Sequence, residues 1–293
     1  MDLRAVAMGI AFALMWSSAF TSARVIVEYA PPMTALALRF LVSGGLGIAI
    51  AFAFGQSAKL SRAQWRSTVI FGVCQNALYL GLFFLAMQTI EASVAAIVAA
   101  TMPLIVAIFG WAFLGDRPNG LGMVGLVAGI IGVAIIMGAR LSGGIDTFGL
   151  GICVIGVIAL AIATLSVRGA SSGGNLLMIV GLQMLIGSAV LSVPAAIFET
   201  LEITWSVELV VAFAYTTLVP GLLATFVWFL LVQRIGAVKA ATFHFLNPFF
   251  GVAIAAALLG EHIGTLDYLG VAIIAGGILA VQLSKQQRLE QQK

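Results

Sequence analysis

The chain has 293 residues, 62% of them hydrophobic and 9% charged, with a formal net charge of +3. A soluble domain carries roughly 25% charged residues; a chain this apolar has too little polar surface to face water, so a soluble globule is excluded and the solvent is a bilayer. The charge is small and scattered through short loops, and no basic run with interleaved aromatics points to nucleic acid.

A helix that crosses a bilayer needs about 20 mostly apolar residues. Ten segments meet that need: 4–26, 33–54, 67–88, 92–114, 119–139, 148–167, 175–197, 209–232, 238–259 and 264–283. The expected fold class is therefore all-α integral membrane, with ten transmembrane helices, short connections and no soluble domain. The first segment imitates a signal peptide, but the run from Ala5 to Phe20 is long for one and contains Trp16, so it reads as an uncleaved span. With the N-terminus in the cytoplasm, the inner loops hold Arg4, Lys59, Arg62, Arg66, Arg117, Arg168, Arg234, Lys239, Lys285, Arg288 and Lys293, and the outer loops only Arg24 and Arg140. Positive residues favour the cytoplasmic side, so both termini are expected there.

Span one carries Trp16, Ser17, Ser18 and Thr21. Ser17 and Thr21 share a face, and Trp16 lies near mid-span, away from the interfacial belts, where a rigid amphipathic ring suits a pocket wall. Hydroxyls at such positions serve a ligand or simply satisfy a carbonyl. Span two holds Arg39 close to its outer end. A charge in hydrocarbon is costly unless it snorkels or is solvated, so Arg39 reads as a gate ion pair, a contact to a carboxylate, or an interfacial anchor. Span three has the stripe Gln75, Tyr79 and Phe83, with Asn76 beside it; amides avoid lipid and point inward, while an aromatic stripe also suits core packing. Span five has glycines at 122, 125, 129 and 132, partly repeated by Gly270 and Gly277, a pattern for close helix approach. In the second half the inward candidates are Gln183, Tyr215, Thr216, Trp228, His244 and Asn247. Cys74 and Cys153 read as small apolar fillers.

An internal echo organises these segments. AATMPLIVAIFGWAFLGD, from Ala99, returns 145 residues later within FHFLNPFFGVAIAAALLGE, from Phe243. The echo aligns Pro103 with Pro248 and Leu114-Gly115-Asp116 with Leu259-Gly260-Glu261. A proline inside a span frees a carbonyl that protein or a water-lined cavity must satisfy, so the matched pair marks a hinge or cavity position. The repeat unit holds five spans. An odd number turns the second copy upside down, which predicts two inverted five-helix repeats over 1–142 and 143–284, followed by a polar cytoplasmic tail over 285–293.

No phosphate-binding loop, metal-ligand cluster or nucleophile motif is present, so no enzyme activity, cofactor or metal is expected. No carboxylate lies deep in a span, which favours facilitated transport, although His244 leaves proton coupling open. The expected partners are a small-molecule substrate and the lipid bilayer; the glycine faces leave a monomer and a homodimer both open.

The paired proline spans closed by Leu-Gly-acid, the Trp-Ser-Ser-Ala-Phe stretch from Trp16 to Phe20, and Arg39 in span two resemble the EamA family of the drug/metabolite transporter superfamily. The resemblance covers the whole chain as two five-helix repeats, with Asp116 where the family more often has Glu. It implies a bacterial inner-membrane permease that exports small metabolites, commonly amino acids, through a cavity lined by spans one, three, four, six, eight and nine. Among members the chain is most similar to bacterial aromatic amino-acid exporters. On that resemblance Trp16 and Tyr79 are aromatic walls, Gln75, Asn76 and Gln183 polar contacts, and Pro103 and Pro248 hinge or cavity residues. Ser17, Phe83, Trp228 and His244 join them as substrate-binding candidates and Arg39 as a gate. The expected function is export of neutral aromatic amino acids by facilitative alternating access, with other small metabolites or drugs, proton-coupled or not, as the alternative.

Overall fold

Every regular element among the described residues is a helix. The computed structural model describes residues 3–115, 118–142, 144–166, 175–235, 240 and 242–291. In chain order the elements are α1 (Leu3–Tyr29), α2 (Pro32–Ala53), α3 (Arg62–Phe71), a π-helical segment (Gly72–Tyr79), α4 (Leu80–Ala86), α5 (Ala92–Ala100), α6 (Met102–Leu114) and α7 (Gly120–Ser142). There follow α8 (Thr147–Ser166), α9 (Leu176–Phe198), α10 (Val207–Thr216), a second π-helical segment (Thr217–Leu223), α11 (Ala224–Ile235), a 3-10 turn (Thr242–Leu246), α12 (Asn247–Leu259) and α13 (Thr265–Gln291).

Nine stretches among the described residues are long and apolar enough to cross a membrane. They correspond to nine of the ten predicted spans. The remaining one, 238–259, is a shorter apolar helix over Phe243–Leu259, and its predicted start falls on residues outside the described ones. Asp116, the acid of the first closing triplet, also lies outside them.

The element bounds repeat. Arg62–Phe71 and its π-helical continuation recur 145 residues on as Val207–Thr216 and the segment from Thr217, and Met102–Leu114 recurs as Asn247–Leu259. Local chemistry repeats as well. The Ser61 hydroxyl accepts from the Gln64 N–H at 3.2 Å to start α3, and the Ser206 hydroxyl accepts from the Leu209 N–H at 3.1 Å to start α10. Both are N-caps that satisfy an otherwise orphaned donor.

The chain packs as two compact units. The first comprises Met1–Thr21, Thr89–Leu150 and Leu223–Lys293; the second comprises Ser22–Gln88 and Gly151–Leu222. Each therefore draws on both halves of the sequence.

In the first unit α7 lies against α13. Gly125 faces Gly277, and a methyl on either would sit 2.6 Å from the other's carbonyl oxygen. Gly122 meets Ser284 and Gly132 meets Ile274, so the contacts run in opposite directions along the two helices, which are antiparallel. The glycine faces read from the sequence are thus occupied inside the chain and give no ground for a dimer. Ile97, Leu104, Ile136, Val252, Ile274 and Ile278 form the core beside them. Asp146 opens α8: it accepts from the Thr89 hydroxyl at 2.6 Å and from the N–H groups of Phe148 and Gly149, both at 3.1 Å. These bonds, the Thr89 hydroxyl first, hold its carboxyl below the usual carboxylate range.

In the second unit α2 lies against α9, with Gly44 and Gly47 facing Gly181. Glu199, just past the end of α9, accepts from the N–H groups of Met33 at 2.7 Å and Thr34 at 2.8 Å at the start of α2. Gln56, just past the end of α2, accepts from the Met178 N–H at 3.0 Å at the start of α9. Each helix is capped by the exit of the other, which makes this pair antiparallel too.

Candidate functional site

Two proline breaks shape the first unit. α5 stops at Ala100, Thr101 takes φ −74° and ψ −11°, and α6 begins with Pro103 in its first turn. The Thr101 hydroxyl donates to the Val98 carbonyl at 2.6 Å and so closes the break on itself. In the second case the 3-10 turn Thr242–Leu246 leads into α12, with Pro248 in its first turn. α6 and α12 each have 13 residues, and each ends at a left-handed glycine, Gly115 at φ 69° and Gly260 at φ 67°. The sequence predicted prolines that bend a continuous span. At Pro103 the apolar span Ala92–Phe113 runs on through a one-residue turn at Thr101, and at Pro248 a 3-10 turn leads into α12; each proline lies in a first turn, which needs no N–H donor and tolerates the ring.

α12 crosses α5 at Gly251, where a methyl would lie 2.4 Å from the Ala96 Cβ. Glu261, beyond the end of α12, accepts from the N–H groups of Ala92 at 2.7 Å and Ser93 at 3.0 Å and caps α5. These two helices also run antiparallel.

Aromatic groups gather at the second break. The Phe12 ring is 5.7 Å from Trp16, 4.7 Å from Trp228 and 5.3 Å from His244, the last at 88°. Trp228 and His244 are 5.2 Å apart. Such offsets and edge-on angles suit the ring quadrupoles. The Ser17 hydroxyl donates to the Asn247 carbonyl at 3.2 Å. The Asn247 side-chain N–H lies 2.9 Å from His244 Nδ1. In the assigned amide orientation Nδ1 accepts and the neutral ring carries its proton on Nε2. Asn247 Oδ1 is buried and has no partner among the described residues. Trp16, Trp228 and His244 are only half-buried, whereas Phe12 is buried beneath them. The predicted Trp16, Ser17, Trp228, His244 and Pro248 thus come together in one place. Pro103 sits in the other break.

The second unit holds the rest. The Tyr79 and Phe83 rings lie 4.6 Å apart, tilted by 57°, and both are fully buried at 1% and 0% exposure, with Gly156 of α8 packed on Phe83. In this conformation they are core, with no ring face left for a ligand. The Asn76 amide donates to the Gln183 carbonyl at 2.9 Å, so Gln183 contributes its backbone there, and its side chain is half-buried. Gln75 is half-buried in the same π-helical segment. Arg39 is buried at 6% exposure, with its guanidinium 5.2 Å from the Phe40 ring centroid. Among the described residues no carboxylate pairs with it, so the expected gate ion pair is not present there.

The sequence reading passed over Phe12, the centre of the aromatic group; its four-residue spacing to Trp16 was the available signal. It singled out Glu261 as the acid of the closing triplet but not as a helix cap, and it did not foresee the cap from Glu199 or the two π-helical segments.

Residues 3–138 and 147–283 each match the EamA-like transporter family. The chain is 24% identical over 277 residues to the uncharacterized transporter YvbV of Bacillus subtilis (strain 168), covering 94% of this chain and 90% of that protein. It is 27% identical over 287 residues to the uncharacterized inner membrane transporter YedA of Escherichia coli (strain K12), again covering 94% and 90%. A crystal structure of a protein 21% identical in sequence superposes with a TM-score of 0.69 over 99% of this chain and 100% of that one, which shows the same fold.

Proposed function

The chain belongs to the EamA-like transporter family, a multi-pass membrane protein whose relatives are named transporters, and on that premise we propose that it exports neutral aromatic amino acids by facilitative alternating access. The observation that carries the substrate class is the half-exposed Trp16–Trp228–His244 group around Phe12 at the break before Pro248. An aromatic side chain adds one more ring to that group at the same edge-on and offset angles. The unused acceptor Asn247 Oδ1 suits the donor end of a zwitterion, an ammonium. Ser17, which holds the Asn247 carbonyl, keeps the broken helix end in register.

We further infer ten spans in two inverted five-helix repeats, 1–142 and 143–284, with a tail over 285–293. Support comes from the element bounds that recur after 145 residues and from equivalent helices that pack antiparallel: α2 with α9, α5 with α12, α7 with α13. Two chemically similar halves of opposite sense have two similar packings to move between, the basis of access to either side in turn. The proposed location is the bacterial inner membrane with both termini cytoplasmic, from the distribution of Lys and Arg.

Counterflow in proteoliposomes tests the proposal. Vesicles loaded with single unlabelled amino acids take up labelled phenylalanine, with and without a pH gradient. Acceleration by internal phenylalanine, tyrosine or tryptophan, indifferent to pH, supports it. Acceleration by none of them, in protein shown to be folded, rejects the amino-acid reading.

A further inference from the structure

The second unit has two ends of opposite chemistry. At one end α1 and α9 finish and α2 and α10 begin: the Thr204 N–H donates to the Tyr29 carbonyl at 2.9 Å, and Glu199 caps α2. All the acids of the unit, Glu28, Glu199, Glu202 and Glu208, lie there. At the other end α2 finishes and α9 and α3 begin: Gln56 caps α9, and the Ser57 N–H donates to Asn175 Oδ1 at 3.0 Å. That end carries Lys59, Arg62 and Arg66 and no carboxylate of the unit. All three are exposed, and none of their side chains has a hydrogen bond or ion pair among the described residues. Arg62, Trp65 and Arg66 follow at i, i+3 and i+4 and share a face of α3, the two arginines about 6 Å apart along its axis. Trp65 is 40% exposed. Arg62–Ala86 is long and apolar enough to cross a membrane, so its first turns lie at the edge of the hydrocarbon.

These bases do not serve the local fold. In the matching stretch 145 residues on, Ser206 caps α10 as Ser61 caps α3, while Val207, Val210 and Val211 stand in the places of Arg62, Trp65 and Arg66, and Glu208 in that of Ala63. The same cap and helix form there without the charges. Ser61 and Gln64 also close a capping box, so the start of α3 needs no anion of its own. Bare guanidinium forks at the edge of the hydrocarbon match phosphate oxygens, and an interfacial tryptophan ring sits at headgroup depth. With no carboxylate beside them, the ammonium of a zwitterionic headgroup finds no partner, which selects a lipid of net negative charge. We infer that Lys59, Arg62 and Arg66, with Trp65, form a binding surface for the headgroup of an acidic phospholipid. The arginines donate to its phosphate, Lys59 adds charge, and Trp65 packs on the glycerol and the upper acyl chain. The inference requires only that α3 opens a membrane span, and it holds whatever the chain transports.

The test uses the full chain in phosphatidylcholine nanodiscs at low salt. Trp16, Trp111, Trp205 and Trp228 are replaced by phenylalanine, so that Trp65 reports alone. A minor fraction of the lipid is then exchanged for phosphatidylglycerol or phosphatidylcholine with brominated chains, which quench a tryptophan they touch. The expected result is that brominated phosphatidylglycerol quenches Trp65 as strongly as roughly tenfold more brominated phosphatidylcholine, the scale set by two or three basic side chains at a membrane surface. Arg62→Gln with Arg66→Gln brings the two lipids level. Lys285→Gln with Arg288→Gln, the same loss of charge near the end of the chain, keeps the preference. Equal quenching by the two lipids overturns the inference, as does a preference that survives the arginine pair or is lost equally with the control pair. Loss of the preference on adding inorganic phosphate at constant ionic strength also overturns it and assigns the arginines to a soluble anion. Where the single-tryptophan chain does not reconstitute, native mass spectrometry of the otherwise unaltered chain decides. Phosphatidylglycerol retained over phosphatidylcholine, and lost with the arginine pair, supports the inference; equal retention overturns it.

Discussion

The two proline breaks of the first unit share their outgoing helix and differ in approach and in chemistry. Each opens a 13-residue helix with proline in its first turn, and each helix ends at a left-handed glycine. At Thr101 the side-chain hydroxyl donates to the Val98 carbonyl one turn back. Before Pro248 the same device is surrounded by Phe12, Trp16, Trp228 and His244, and Asn247 keeps an unused acceptor. The outgoing helix is thus a property of the repeat, while the aromatic cluster and the unused acceptor belong to one copy. A small, asymmetric molecule needs only one such lining, so duplicated architecture does not require duplicated side chains.

The largest effect expected strikes what the two copies share. Gly251→Val drives side-chain atoms into Ala96 of α5 and should cost about 3 kcal/mol, seen as loss of the monodisperse peak in size exclusion. An unchanged profile would mean that α5 and α12 do not cross there. Next, Trp228→Ala should lower phenylalanine counterflow about fivefold while the protein stays folded, since one aromatic contact contributes roughly 1 kcal/mol beyond burial. Trp111→Ala, on the 43%-exposed ring of α6, should leave it unaltered. Equal losses would remove the contrast between the breaks. A smaller effect follows from Glu261→Ala, which removes the cap on α5 and should destabilise by about 1–2 kcal/mol; Glu199→Ala should match it at α2. Melting curves that move for only one of them would show that the two caps are not equivalent. Smallest is Thr101→Ala, at about 1 kcal/mol or less, with transport retained; a transport defect there would give the first break a role like the second.

Much of this was legible in the sequence, for physical reasons. Spans follow from hydropathy over about 20 residues, a local property, and nine of them appear as read. The gapless echo around Pro103 and Pro248 also located both breaks. Trp16, Trp228 and His244 were found as large or polar groups out of place in a span. Phe12 was not, because phenylalanine is unremarkable among 19 in an apolar chain. Tyr79 and Phe83 carried the opposite ambiguity: their spacing suits a pocket and a core equally, and only burial separates the two. Glu199 and Glu261 reach helix starts about 170 residues away in sequence, and no local pattern encodes a cap that distant. The π-helical segments depend on tertiary support for one widened turn, which composition does not record.

The central claim is that an aromatic molecule binds at the Trp16–Trp228 group. Trp65, Trp111 and Trp205 are 40%, 43% and 76% exposed and can be replaced by phenylalanine, leaving only the two tryptophans of the break. Titration of this variant with L-phenylalanine should give a saturable change in tryptophan emission that L-alanine does not produce and that Trp228→Phe halves or removes. An emission unchanged by phenylalanine at concentrations that drive counterflow would place the substrate elsewhere and contradict the account.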